Sequence, residues 1–117
     1  MTNSGLKIAQ SRAGAICIAA VTGRVDNSSA GQVQTEVGSL LAAGETAILL
    51  DLAGVTYLTS AAFRALLVVS NQAQRGGARL ALCGVTGHVR DMFELAGLLE
   101  SFTIFGSRDD ALARLAS

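Results

Sequence analysis

Few side chains in this 117-residue chain are equipped for chemistry: Ser60 and its neighbour Thr59, the acids Asp26 and Asp51, a single histidine at His88, and the thiols Cys17 and Cys83. Ser60 has the most informative setting. It follows an apolar run at residues 47–52 that contains Asp51, and it directly precedes Ala61-Ala62-Phe63-Arg64-Ala65-Leu66-Leu67. That places it at the N-cap of a predicted helix, where its hydroxyl meets the open backbone N–H groups of the first turn. A helix start carries partial positive charge and free donors, so it tolerates a phosphate well. Phosphorylation there would add about −1.5 to −2 charges without unfolding the helix. The plain alternative is that the hydroxyl only caps.

Catalysis is harder to assemble. A nucleophile–base pair of Ser60 and His88 needs a third group to orient the imidazole, and no spacing in the sequence supplies one. Gly76-Gly77 lacks the following Lys-Ser or Lys-Thr of a phosphate-binding loop and precedes a strand, not a helix. Asp26 and Asp51 are the acids near strand ends on the Ser60 side. Two readings stand for each: ordering a phosphate-bound cation or the attacking serine, or a local role, with Asp51 capping a turn and Asp26 receiving nearby backbone N–H groups. Cys17 and Cys83 are too few and too isolated for a metal site or a disulfide framework, and read as small core residues. No enzyme activity, cofactor or metal is expected.

The elements that must position these groups follow in order. Residues 6–10 alternate apolar and polar as a half-buried strand does, residues 12–14 form a turn, and residues 15–21 form a second strand paired antiparallel to the first. A loop at residues 23–27 carries Arg24 and Asp26. Ser29 with Gln32 matches a capping box for a helix whose apolar face is Val33, Val37, Leu40 and Leu41, ended by Gly44. The central strand at 47–52 is broken by Gly54 and resumed at 55–58. The Ser60 helix then runs to Arg75-Gly76-Gly77. If it packs through Phe63, Leu66 and Val69 or Ser70, then Ser60, Arg64, Leu67 and Asn71 face outward. A strand at 79–83 follows, then a helix capped by Thr86 with Val89, Met92, Phe93 and Ala96 inward, a short strand at 102–105, and a last helix opened by Ser107 with Asp109 and Asp110 in its first turn. This is an α/β order: a mixed, mostly parallel sheet of about five strands, the first hairpin antiparallel, with about four helices.

The order and spacing of these pieces resemble the STAS family, the sulfate-transporter and anti-sigma-factor-antagonist domain, over nearly the whole chain as one domain, residues 1–117. The resemblance rests on Leu50-Asp51-Leu52 followed by Val55-Thr56-Tyr57-Leu58 and Thr59-Ser60-Ala61-Ala62-Phe63, on Gly23-Arg24-Val25-Asp26, and on the closing Ala96-Gly97-Leu98-Leu99 and Phe102-Thr103-Ile104-Phe105. Stand-alone members of this family are phosphorylated, at the serine that Ser60 matches, by a partner kinase that is also an anti-sigma factor. The resemblance therefore implies an anti-sigma factor antagonist. Its dephosphorylated form would bind a serine/threonine kinase of histidine-kinase-like ATPase type through Asp26, Thr59, Ser60, Ala61, Arg64 and Leu67, with Asp51 supporting the phosphate site and a phosphatase resetting the switch. The chain departs from the family pattern at Thr59, where an Asp is usual, and at Ala61-Ala62, where Ser-Gly is usual. The first departure supplies a second hydroxyl, so Thr59 is the alternative acceptor. The rival expectation is a STAS interaction subunit of a transporter or signalling assembly that is not phosphorylated.

Composition narrows the partners. Half the residues are apolar and 15% are charged, which excludes general disorder. Formal net charge is zero, aromatics are few, and no basic stripe exists to neutralise phosphates, so nucleic-acid binding is not expected. No apolar run approaches a bilayer span, and the first residues lack the basic-then-apolar pattern of a signal peptide. A cytoplasmic protein with no direct membrane insertion is expected.

Overall fold

The computed structural model describes residues 5–116. The elements are β1 (Leu6–Ala13), β2 (Ile16–Val25), α1 (Ala30–Ala42), β3 (Ala47–Leu58), α2 (Ser60–Arg75), β4 (Arg79–Cys83), α3 (Gly87–Leu95), a 3₁₀ turn at Leu99–Ser101, and α4 (Arg108–Leu115). The strands form one sheet in the order β1-β2-β3-β4, with β1 antiparallel to β2 and the other pairs parallel. The hairpin turns at Gly14-Ala15, with Gly14 at a φ of 61°, a conformation that costs glycine little and other residues more.

Alternation along the strands sorts the apolar side chains onto the two sheet faces. On one face Ile48, Leu50 and Leu52 meet Val33, Val37 and Leu40 of α1, Leu66 and Val69 of α2, and Phe93 of α3 in the larger core. On the other face Ile16, Ile18, Leu49, Ala81 and Cys83 meet Ala111 and Leu115 of α4. Edge-to-face contacts join Phe63 of α2 to Phe93 (ring centroids 5.0 Å apart) and Phe93 to Phe102 (5.7 Å). Cys17 packs in the larger core and Cys83 in the smaller, so both are free, buried thiols on opposite faces of the sheet. The reading of both as core residues holds.

The structure corrects several expectations. Gly54 does not break the central strand. β3 continues through it to Leu58, and the extra residues are absorbed by register shifts against β2 between Ala20 and Thr22 and between Gly23 and Arg24. A Cβ on Gly54 would sit 2.9 Å from Thr22 Oγ1, so glycine there permits close strand approach. The expected loop at 23–27 is strand as far as Val25. The mixed, mostly parallel sheet with an antiparallel first hairpin and four helices is as expected, with four strands where about five were expected. Residues 102–105 make a single parallel bridge, Leu82 to Ile104, because they leave the 3₁₀ turn only at Phe102 and turn toward α4 at Gly106. The capping box at Ser29 does not form either. Ser29 is the N-cap residue, but its hydroxyl turns away from the helix amides and is buried instead against the end of β2.

Candidate functional site: the start of α2 and its surroundings

Thr59 carries β3 into α2. Its backbone is extended (φ −101°, ψ 176°), its N–H donates to Val25 O at 3.0 Å, and its C=O accepts from Phe63 N–H at 3.1 Å. The N-cap is therefore Thr59, and the helix begins at Ser60, one place earlier than the sequence pattern suggests. The strand-to-strand bond to Val25 fixes where the extended backbone ends, and this sets the cap. Thr59 does not cap with its side chain; its hydroxyl leans on Val25 O at 3.5 Å and is half-buried. The Ser60 side chain is exposed, and the N–H groups of Ser60, Ala61 and Ala62 find no acceptor among the described residues. Along the helix Phe63, Leu66 and Val69 are buried, Arg64 and Asn71 are exposed, and Ala61 and Leu67 are half-buried. The outward line Ser60, Arg64, Leu67 and Asn71 is thus as expected, with Leu67 partly sheltered.

The β2–α1 turn lies against this helix start through the same Val25 carbonyl. Here Asp26 is the organising residue. Its Oδ1 accepts from Ser28 N–H at 2.9 Å and Ser28 Oγ at 2.7 Å, with Ser29 Oγ a longer secondary contact at 3.3 Å, and its C=O accepts from the N–H groups of Ser29 and Ala30. Ser29 Oγ, fully buried, accepts from Asp26 N–H at 2.9 Å and donates to Arg24 O at 2.9 Å. The Ser28 hydroxyl, then the Ser28 amide, hold the Asp26 carboxyl below the ordinary carboxylate range, with smaller help from Ser29 and Arg24. Asp26 is a fixed negative charge with a rigid turn around it.

Asp51 is placed elsewhere. It lies in the middle of β3 with its side chain on the α4 face, while α2 packs on the opposite face. One carboxylate oxygen accepts from Ala53 N–H at 3.0 Å and the other is clamped by Arg108 Nε and Nη2, both at 2.9 Å. The strand residues from Asp51 to Leu58 span roughly 23 Å. Asp51 is therefore not among the groups the fold gathers around Ser60. It ties α4 to the sheet. Beside it, burial first and the Asp51 charge second push the Cys83 thiol up to about 11.

A further cluster forms at the same end of the sheet as Ser60. Arg24 and Tyr57 are paired in register across β2 and β3, and the Arg24 guanidinium lies over the Tyr57 ring, 5.0 Å from its centroid. His88, in the first turn of α3, stacks on Tyr57 with centroids 6.2 Å apart and an interplanar angle of 27°. All three side chains belong to exposed residues, and Tyr57 and Leu95 are the exposed large apolar residues among those described. No hydrogen bond joins Ser60 to His88 among the described residues, so the nucleophile–base pair is not assembled. The sequence did not point to Arg24 and Tyr57: their meeting depends on two register shifts, and the only signal is a lone tyrosine close before Ser60. Among the described residues there is no group of three or more His, Cys, Asp or Glu able to hold a metal ion, and no helix long and apolar enough to cross a membrane.

Comparison with known proteins agrees with this architecture. The STAS domain model matches residues 7–111. A Bordetella bronchiseptica protein named as a candidate anti-sigma factor antagonist, BtrV, is 32% identical over 108 residues, covering 92% of this chain and 93% of that one. An anti-sigma factor antagonist from Mycobacterium paratuberculosis superposes with a TM-score of 0.86 at 19% identity, covering 100% of both chains. The Bacillus cell fate determinant SpoIIAA in its phosphorylated form superposes with a TM-score of 0.70 at 14% identity, covering 92% of this chain and 98% of that one.

Proposed function

This chain belongs to the STAS domain family, and from that membership we propose that it is an anti-sigma factor antagonist switched by phosphorylation of Ser60. In the unmodified state the start of α2, with Asp26, Thr59, Ser60, Ala61, Arg64 and Leu67, docks on an anti-sigma factor that is also a serine/threonine kinase of histidine-kinase-like ATPase type. Docking releases the sigma factor or another client. The kinase transfers the γ-phosphoryl group of ATP to Ser60 Oγ, releasing ADP and a proton. The resulting dianion stands inside the contact and breaks it by repulsion and desolvation. A phosphatase restores the hydroxyl. The chain is substrate and ligand, not catalyst.

One observation carries this reading: Ser60 is an exposed residue at the first position of α2, beside backbone N–H groups that have no acceptor among the described residues. A phosphate there meets donors and a favourable dipole instead of a packed core. Thr59 is the weaker acceptor, because its hydroxyl is half-buried against Val25 O. Asp51 takes no part, since Arg108 and the Ala53 amide already hold it on the other face.

The test is intact mass after incubation with the cognate kinase and ATP, followed by peptide mapping. A gain of one phosphoryl group at Ser60, lost in Ser60→Ala while that variant still binds the kinase, is the expected result. Ser60→Asp is expected to bind more weakly. No mass gain, with the kinase active on another substrate, would overturn the switch and favour the unphosphorylated STAS interaction subunit of a transporter or signalling assembly.

A further inference from the structure

From the Arg24–Tyr57–His88 stack we infer a second contact for the same kinase: a ledge that takes an acidic side chain of the partner and adds affinity independently of the Ser60 hydroxyl. The inference rests on the proposed docking at α2 and extends it onto β2, β3 and α3.

The ledge adjoins that surface covalently and by hydrogen bond. Tyr57 is separated from Ser60 by only Leu58 and Thr59, and Val25, next to Arg24, accepts the Thr59 N–H at 3.0 Å. Its residues are of the types that dominate binding energy at protein interfaces, tyrosine and arginine. They are also pre-organised. With the guanidinium lying over Tyr57 at 5.0 Å and the imidazole against the same residue at 6.2 Å, less side-chain freedom is left to lose on docking.

Charge decides what the ledge takes. The ion pair of Arg24 with Asp26 is loose, Nε to Oδ2 at 3.8 Å, and the Asp26 carboxylate is satisfied mainly by Ser28. The Arg24 side chain is 59% exposed, and a guanidinium carries five N–H donors, so the loose contact with Asp26 leaves it capacity to bind a further acceptor. A guanidinium positioned over an aromatic ring offers a planar fork that matches a carboxylate through paired parallel hydrogen bonds, a geometry an ammonium group cannot copy. The occupant is therefore an Asp or Glu side chain of the kinase, flanked by apolar atoms that cover the exposed part of Tyr57.

Binding to the kinase would be measured for the unmodified protein and for Arg24→Gln, Arg24→Lys and Tyr57→Ala, alongside KM and kcat for Ser60 phosphorylation. Arg24→Gln and Tyr57→Ala are each expected to weaken binding by roughly tenfold and to raise KM with kcat little changed. Arg24→Lys should recover only part of the loss, and added salt should weaken the unmodified protein more than Arg24→Gln. Arg24→Gln alters an exposed side chain, and its melting temperature, compared with the parent, separates lost docking from lost fold. Unchanged affinity and KM in a folded Arg24→Gln protein would overturn the ledge and leave the Ser60 switch standing. Failure of the parent protein to bind the kinase at all would overturn both.

Discussion

The Asp26 carboxylate shows how much of this surface depends on a few hydrogen bonds. It is held below its ordinary pKa of 3.8, chiefly by the Ser28 hydroxyl and amide. A depressed folded pKa stabilises the native state above the unfolded value, and that contribution is lost as pH falls through the folded one. Asp26→Ala should therefore melt lower than the parent at neutral pH, with the difference shrinking below about pH 3.8 and vanishing in stronger acid; parallel thermal melts against pH would check it. A carboxyl titrating by NMR at or above its ordinary value would contradict the turn geometry. Cys83 works in the opposite direction. Burial raises its thiol from 9.0 to about 11, so the unfolded chain loses that proton first as pH rises. Stability should fall between about pH 9 and pH 11, by on the order of 3 kcal/mol in total. Removing the thiol in Cys83→Ala should flatten that alkaline decline, measured by denaturant unfolding from pH 8 to 11. At neutral pH both cysteines should resist alkylation in the native protein and react once it is unfolded, since each is buried and protonated.

Element boundaries decide which side chain does what, and two of them can be tested directly. Ser29 looks like a cap but supports the end of β2: its buried hydroxyl satisfies Asp26 N–H and Arg24 O. Ser29→Ala leaves both groups without that partner and should cost about 1–3 kcal/mol, read by chemical denaturation. At α2, Ser60 occupies the first helical position after an extended Thr59. Proline suits that position, because the N–H it lacks has no partner among the described residues and the residue before it is already extended. Ser60→Pro should keep its stability within about 1 kcal/mol of the parent while losing every phosphorylation at that site. These cases mark what the sequence could convey. The periodic apolar positions Val33, Val37, Leu66, Val69 and Phe93 placed the helices and the core, because burial follows period directly. The motif around Ser60 was legible for the same reason: a strand, a short link and a helix must put that residue at the junction. Three features were hidden, because each depends on contacts between distant segments. The cap fell on Thr59 because Val25 fixes it from another strand. Asp51 turned to α4 because strand parity put it on that face. The meeting of Arg24, Tyr57 and His88 required register shifts that no local pattern encodes.

At the scale of the whole molecule, the proposed switch would act on a compact, well-packed body. The Cα radius of gyration is 13.0 Å, that of a closed domain of this length, and α2 is held by a buried face of Phe63, Leu66 and Val69 that runs into the main core. Ser60, the proposed site of modification, lies outside that core, at a helix end whose first amides have no acceptor among the described residues. A phosphate on Ser60 therefore has a way to change what the surface presents without moving the helix beneath it. The chain has a formal net charge of zero, and a phosphoserine would add about −1.5 to −2 at neutral pH. That is a large change for the surface and a small one for the fold, where a negative group near a helix N-terminus contributes about 0.3–1 kcal/mol in the stabilising direction. The phosphorylated protein should migrate clearly faster toward the anode in a native gel. Its melting temperature should be equal to or slightly above that of the unmodified form. Backbone amide shifts should change mainly in the 24–28 turn and at residues 57–64, while those of β1, β4 and α4 stay put. Widespread shifts or a marked fall in melting temperature would mean that the modification remodels the domain. The loss of kinase binding would then need a conformational explanation in place of the local electrostatic one.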